Sequence, residues 1–165
     1  AYTGESLWVV DSKGICKIDQ HNGNILIKID THQSYGQGLA SDGSFLYYAD
    51  NSRLDIINIQ SKKIERVLTL PEKHAHGGLT FDGLNLWFVS KNSPTIYKIN
   101  ITDGKILFKH SLSGLPENVF AHDLAWDGES IWVSLAKRSE QGYYNWITKL
   151  DNKTFDPLCF ISGKD

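Results

Sequence analysis

A unit of about 40 residues recurs four times along this 165-residue chain, and no other feature limits its fold so tightly. The copies read AYTGESLWVV at 1–10, GLASDGSFLYYA at 38–49, GLTFDGLNLWFV at 78–89 and DLAWDGESIWVS at 123–134. Their turn glycines are Gly4, Gly43, Gly83 and Gly128, at intervals of 39, 40 and 45 residues. Trp8, Tyr47, Trp87 and Trp132 follow at one shared offset. A period of this size belongs to propellers, solenoids and arrays.

Each copy reads as four short strands. In the third, Asp82-Gly83 sits between two apolar runs, a hairpin signal because glycine adopts positive φ without steric cost. Leu86 and Phe88 then alternate with Trp87 and Val89, and a β-rich run at 95–100 is joined to another at 105–112 by Asp103-Gly104. Asn22-Gly23, Ser61-Lys62 and Asp127-Gly128 mark corresponding turns in the other copies. No segment carries a sustained 3.6-residue apolar period. Four hairpin-connected strands per repeat make a propeller blade. The expected fold is therefore all-β: a β-propeller of four four-stranded antiparallel blades, or a four-blade part of a larger propeller. The chain forms one domain, 1–165, with repeats at about 1–36, 37–76, 77–121 and 122–165.

The pattern L-x-x-D-G-x-x-L-W-V, then I-x-K-I-D, then G-x-I, resembles the blades of streptogramin-lyase-like and plant-type glutaminyl-cyclotransferase propellers. The resemblance covers nearly the whole chain and rests on turn and core residues. It implies the propeller. It also implies an enzyme reading, because lyase-like propellers use channel-mouth histidines and a carboxylate with a divalent cation.

The first copy has almost no innermost strand, so sequence upstream of Ala1 is expected, and the ring either closes with a frayed seam or is completed from elsewhere. Unpaired blade edges would invite self-association. Cys16 and Cys159 lie in the first and last copies and are either a disulfide across the seam or two free thiols. Net charge is −2 and the lysines are scattered, which removes the basic stripe that nucleic acid requires. No apolar run is long enough to span a membrane. Asn100-Ile101-Thr102 and Asn152-Lys153-Thr154 are glycosylation sequons, and they tilt the expectation towards a secreted or periplasmic protein.

Meander topology separates structural from functional positions. The one-two and three-four turns share one face, and their aspartates shape turns rather than do chemistry. The two-three turns and the links between blades share the other face. There the longer segments lie at 31–37, 71–77, 113–122 and 135–145. His74, His76, His122 and Asp123 fall at or just before innermost strands, near the mouth of the channel. Imidazoles with a carboxylate suit a divalent metal or acid–base work; otherwise no cofactor is expected. The segment 135–145 reads as a loop presenting Lys137, Arg138, Tyr143 and Tyr144 as a recognition surface.

The leading expectation is a non-catalytic binding module that holds a protein, glycan or small ligand on this loop face. The alternative is a propeller enzyme of the glutaminyl-cyclotransferase or lyase-like type, centred on the histidines. The repeated tryptophans Trp8, Trp87 and Trp132 are expected in the core, since a ligand site would not need one in every copy.

Overall fold

The computed structural model describes residues 1–3, 6–11, 13–31, 38–72, 77–91, 93–112, 115 and 117–162. Among them all regular structure is β, and no helix is long and apolar enough to cross a membrane. Blade 1 contains β1 (Leu7–Asp11), β2 (Gly14–Ile18) and β3 (Ile25–Asp30). Blade 2 contains β4 (Gly38–Ser41), β5 (Phe45–Asp50), β6 (Arg53–Asn58) and β7 (Lys63–Thr69). Blade 3 contains β8 (Leu79–Phe81), β9 (Leu86–Ser90), β10 (Thr95–Ile99) and β11 (Ile106–Ser111). Blade 4 contains β12 (Val119–Trp126), β13 (Ile131–Ser139), β14 (Gly142–Leu150) and β15 (Pro157–Ser162).

Every blade is an antiparallel meander, and together they form a four-blade β-propeller. Among the described residues, the innermost position of blade 1 is held by Ala1 and Tyr2. Tyr2 bridges to Leu7, and Trp8 N–H donates to the Ala1 carbonyl at 2.7 Å.

The repeated turn explains itself atom by atom. Asp82 Oδ1 accepts from the amides of Leu84 and Asn85, while its Oδ2 accepts from the Trp87 indole at 2.8 Å. Asp127 does the same for Glu129, Ser130 and Trp132, and Asp42 for Ser44, Phe45 and the Tyr47 hydroxyl. One carboxylate thus shapes the turn and pins the aromatic five residues on. The glycine between them has φ of 92°, 94° and 100° in the three copies, a conformation that side-chain-bearing residues avoid. Tyr47 keeps the bond that tryptophan makes elsewhere, so the most divergent copy preserves the device.

The pairing of the two outer strands shifts register at one equivalent place in all four blades: Lys17/Ile18, Ile56/Ile57, Lys98/Ile99 and Lys149/Leu150. Such a bulge sharpens the twist that each blade needs.

The core lies between blades. Trp8, Ile15 and Ile29 pack on Leu46, Tyr48 and Ile57, joining blades 1 and 2. Tyr47, Leu54 and Ile56 meet Leu86, Phe88 and Tyr97, joining 2 and 3. Trp87, Val89 and Ile96 meet Ile131, Val133 and Leu135, joining 3 and 4. Trp8, Tyr47 and Trp87 each pack forward, onto the next blade. Trp8 and Trp87 are buried as expected, but Trp132 is only half-buried, because among the described residues no blade stands beyond it.

Both cysteines are free thiols, Cys16 buried and Cys159 exposed on the outermost strand of blade 4. The disulfide alternative is therefore not the one adopted.

Candidate functional site

The loop face carries the two-three turns and the inter-blade links. His74 and His76, expected at the channel mouth, lie outside the described residues. His122 and Asp123 lie within β12, where the pairing with β13 slips: Ala121 faces Leu135, Asp123 faces Ser134, and His122 is the extra residue. A bulge of this kind turns a side chain out of the regular alternation, and His122 is exposed.

Asp123 sits where the inner strands crowd the axis. Its backbone amide donates to Ser134 Oγ at 3.0 Å, and its Oδ1 accepts from the Leu124 amide at 2.8 Å. A methyl group on Gly78 of the neighbouring blade would fall 1.6 Å from that same Oδ1. Water touches the carboxylate, yet protein surrounds it closely. That desolvation raises its pKa, against the pull of the Leu124 amide, the N-terminal ammonium of Ala1 and His122. His122 moves the other way: desolvation and then Lys91 across the blade boundary lower its pKa, with Asp123 opposing. A neutral imidazole thus stands beside a carboxyl that is harder to ionise than usual. Among the described residues no three His, Cys, Asp or Glu side chains come together to hold a metal ion.

The segment 135–145 is not a loop. β13 and β14 run nine residues each and stay paired to Ser139↔Gly142, with Glu140 and Gln141 at the tip. The reason is local. Gly142 has φ 128°, Ser139 Oγ donates to the Gly142 carbonyl and accepts from the Gln141 amide, and the flanking residues alternate. Alternation places Lys137 and Tyr144 on one face of the hairpin and Arg138 and Tyr143 on the other. Tyr143 is 63 % and Tyr144 51 % exposed, and Tyr144 OH donates to Gln141 Oε1.

Sequence reasoning missed Glu72. This residue, in the link between blades 2 and 3, accepts from Ser90 Oγ (2.5 Å), Ser93 Oγ (3.0 Å) and the Tyr97 hydroxyl. It ties the link to the two-three turn of blade 3. Burial works against the charged carboxylate, but the three hydroxyl donors outweigh it and hold the pKa below the ordinary value. A folded pKa below the unfolded one contributes stability above the ordinary glutamate value of 4.5 and loses it as pH falls through the folded value. The stability gap between the protein and its Glu72→Gln variant should therefore be wide at neutral pH and shrink in acid, read as urea midpoints. A pH-independent gap would assign the effect to shape rather than charge. Nothing in one sequence marks a link glutamate as the partner of three distant hydroxyls.

A groove of about 350 Å³ was also missed. It opens on the opposite face, between blades 3 and 4, and is lined by Trp87, Lys98, Phe108, Trp126, Glu129 and Phe155 among others. The acids there remain structural. Asp82 binds Lys98 Nζ at 2.9 Å as well as Trp87, and Asp127 repeats the arrangement with Trp132 and Lys149. Asp127 is held far below the carboxylate range, first by the Trp132 indole and then by turn amides.

No protein-family model matches the chain, and no curated protein does. Solved structures do. The chain overlays glutaminyl cyclase from Myxococcus xanthus at TM-score 0.67 and 15 % identity, covering 98 % of this chain and 72 % of that one. It overlays the Pan2 WD40 domain of Neurospora crassa at 0.66 and 11 %, covering 98 % and 50 %. It overlays BamB from Moraxella catarrhalis at 0.58 and 15 %, covering 97 % and 47 %. Apart from the cyclase, the chain spans about half the length of these structures. At such identities the likeness shows the propeller fold, shared with a WD40 domain and with a glutaminyl cyclase.

Proposed function

We propose that the protein is a binding module that holds a protein partner on its loop face, with the β13–β14 hairpin as the principal contact. The observation that carries this reading is the exposure of Tyr143 and Tyr144 on a rigid, fully paired hairpin. Two aromatic rings held in water by a ladder, not a flexible loop, give contact area at little entropic cost. Arg138 and Lys137 stand directly across from them and add charge-assisted bonds. Likeness to WD40 propellers supports a protein as the partner.

Selection of a random peptide library on the immobilised chain tests this. Enriched peptides should bind at micromolar strength. The Tyr143→Ala, Tyr144→Ala double variant should weaken them by about 30-fold, the size of a hot-spot loss near 2 kcal/mol. Tyr2→Ala should leave them unchanged. Peptides indifferent to the hairpin tyrosines would remove the hairpin from recognition.

A second reading rests on His122 and Asp123, whose opposed pKa shifts suit proton transfer. It makes the protein an enzyme of the glutaminyl-cyclotransferase type. Turnover of a glutaminyl peptide that falls with Asp123→Asn and with His122→Ala would favour it, and absence of turnover in the unaltered chain would end it.

A further inference from the structure

We infer that the groove between blades 3 and 4 binds the guanidinium group of an arginine side chain carried by a peptide partner. The preceding boundary shows what fills such a place. Between blades 2 and 3, Arg66 on β7 reaches across to the three-four turn of blade 3. Its guanidinium donates there to the carbonyls of Thr102 at 2.7 Å and Ile101 at 3.1 Å. One blade further on, Phe108 holds the register position of Arg66. Each pairs with the residue just before the bulge, Arg66 with Ile56 and Phe108 with Lys98. The three-four turn of blade 4 is built like that of blade 3: the Asp151 carbonyl accepts from the Phe155 amide as the Asn100 carbonyl accepts from Gly104. Asn152 and Lys153 therefore stand where Ile101 and Thr102 do, and Phe108 has no donor to offer their carbonyls. A groove of about 350 Å³ lies where the chain's own arginine would reach.

Two more departures from the repeat select a planar cation. Glu129 lines the groove in the turn position that Leu84 holds in blade 3. The aspartates of these turns are taken up by their own amides and aromatics, but Glu129 makes no ion pair among the described residues. Lys98, the groove's ammonium, is already held on Asp82 at 2.9 Å. Two carboxylates against one ammonium leave the lining negative. The other departure is Phe155. The closing residue of the three-four turn is left-handed in every blade, with φ of 76° at Gly23, 60° at Lys62, 74° at Gly104 and 60° at Phe155. A phenylalanine is strained there and a glycine is not. That conformation sets the Phe155 ring on the groove wall, 4.6 Å from Phe108 between centroids. Aromatic faces beside an uncompensated carboxylate suit a guanidinium, which stacks on rings and pairs with carboxylate through two bonds, whereas an ammonium is a compact, strongly hydrated charge.

Titration of capped arginine, N-acetyl-arginine methylamide, into the full chain tests this. The indoles of Trp87 and Trp126 line the groove, so tryptophan fluorescence reads binding. It should saturate with a Kd of about 1 mM or below. Capped lysine and capped citrulline should bind at least about tenfold more weakly. Glu129 is exposed, so Glu129→Gln should fold unchanged by circular dichroism and weaken arginine at least about fivefold. Phe108→Arg supplies the guanidinium from within, as Arg66 does one boundary earlier, and should abolish binding. It also gives up ring contacts with Phe155 and Trp87, so a thermal melt accompanies it, and Glu129→Gln decides alone if that variant does not fold. No saturation by capped arginine up to about 10 mM would overturn the inference. So would capped lysine bound equally well, or an affinity indifferent to Glu129→Gln. The Tyr143→Ala, Tyr144→Ala variant should bind capped arginine as the unaltered chain does. The hairpin lies on the other face, and the two sites stand or fall separately.

Discussion

Trp87→Ala should lower the free energy of unfolding by roughly 3–5 kcal/mol, while the same change at Trp132, its counterpart in the next repeat, should cost less than half as much. The two residues share sequence context, turn, carboxylate partner and facing lysine. They differ in what lies above the ring. Trp87 is buried between blades, 6.0 Å from Phe108 and 5.5 Å from Phe155 between centroids, with its indole N–H on Asp82. Its removal leaves a cavity walled by two blades and strips a partner from a carboxylate. Trp132 leaves only a dent in a half-open face. Urea unfolding with a constant slope gives both numbers. Equal losses at the two positions would mean that the repeat unit, not the interface between blades, carries the stability.

Gly77→Ala should be among the most damaging single methyls at the described glycines, costing about 3 kcal/mol or more and cutting soluble yield. The added Cβ would lie 1.7 Å from the carbonyl oxygen of Val89, a backbone atom of the strand ladder that no rotamer change can move. At Gly78 the clash is with Asp123, whose Cα as well as its carboxylate stands within 2.7 Å. At Gly77 the room is taken by the adjacent strand of the same blade, and at Gly78 by the inner strand of the next one. Gly43→Ala is the control. Its Cβ would meet nothing within 4 Å, so only its φ of 92° is penalised, by about 1–2 kcal/mol. Thermal melts that rank Gly43→Ala below Gly77→Ala would contradict the packing argument.

Much of this architecture was legible in the chain because its signals are local. Asp-Gly followed by an aromatic five residues on specifies a turn, a carboxylate acceptor and a buried ring, all within one hairpin. Its recurrence specified the blade and the plan of the ring. The face of each connection follows from meander topology, which is why His122, Asp123 and the 137–144 segment are assigned to the loop side from sequence. The reading of 135–145 as a loop failed on length alone. Lys, Arg, Ser, Glu and Gln look like loop chemistry, but a Ser-Glu-Gln-Gly turn closes the hairpin, and main-chain pairing tolerates polar side chains wherever both faces meet water.

Other features depended on pairs of residues that are remote in sequence. Glu72 finds Ser90, Ser93 and Tyr97 only when two blades stand side by side, and the groove beside Trp87 exists only between blades 3 and 4. The sequence by itself determined the hairpin turns, the four-fold repetition and the forward-packing aromatic, because each is an interaction between residues a few positions apart. Only the tertiary structure decided which copies of those aromatics and leucines are buried. Burial of a blade face is a property of its neighbour, and equivalent positions in the four repeats acquire different environments according to what packs against them.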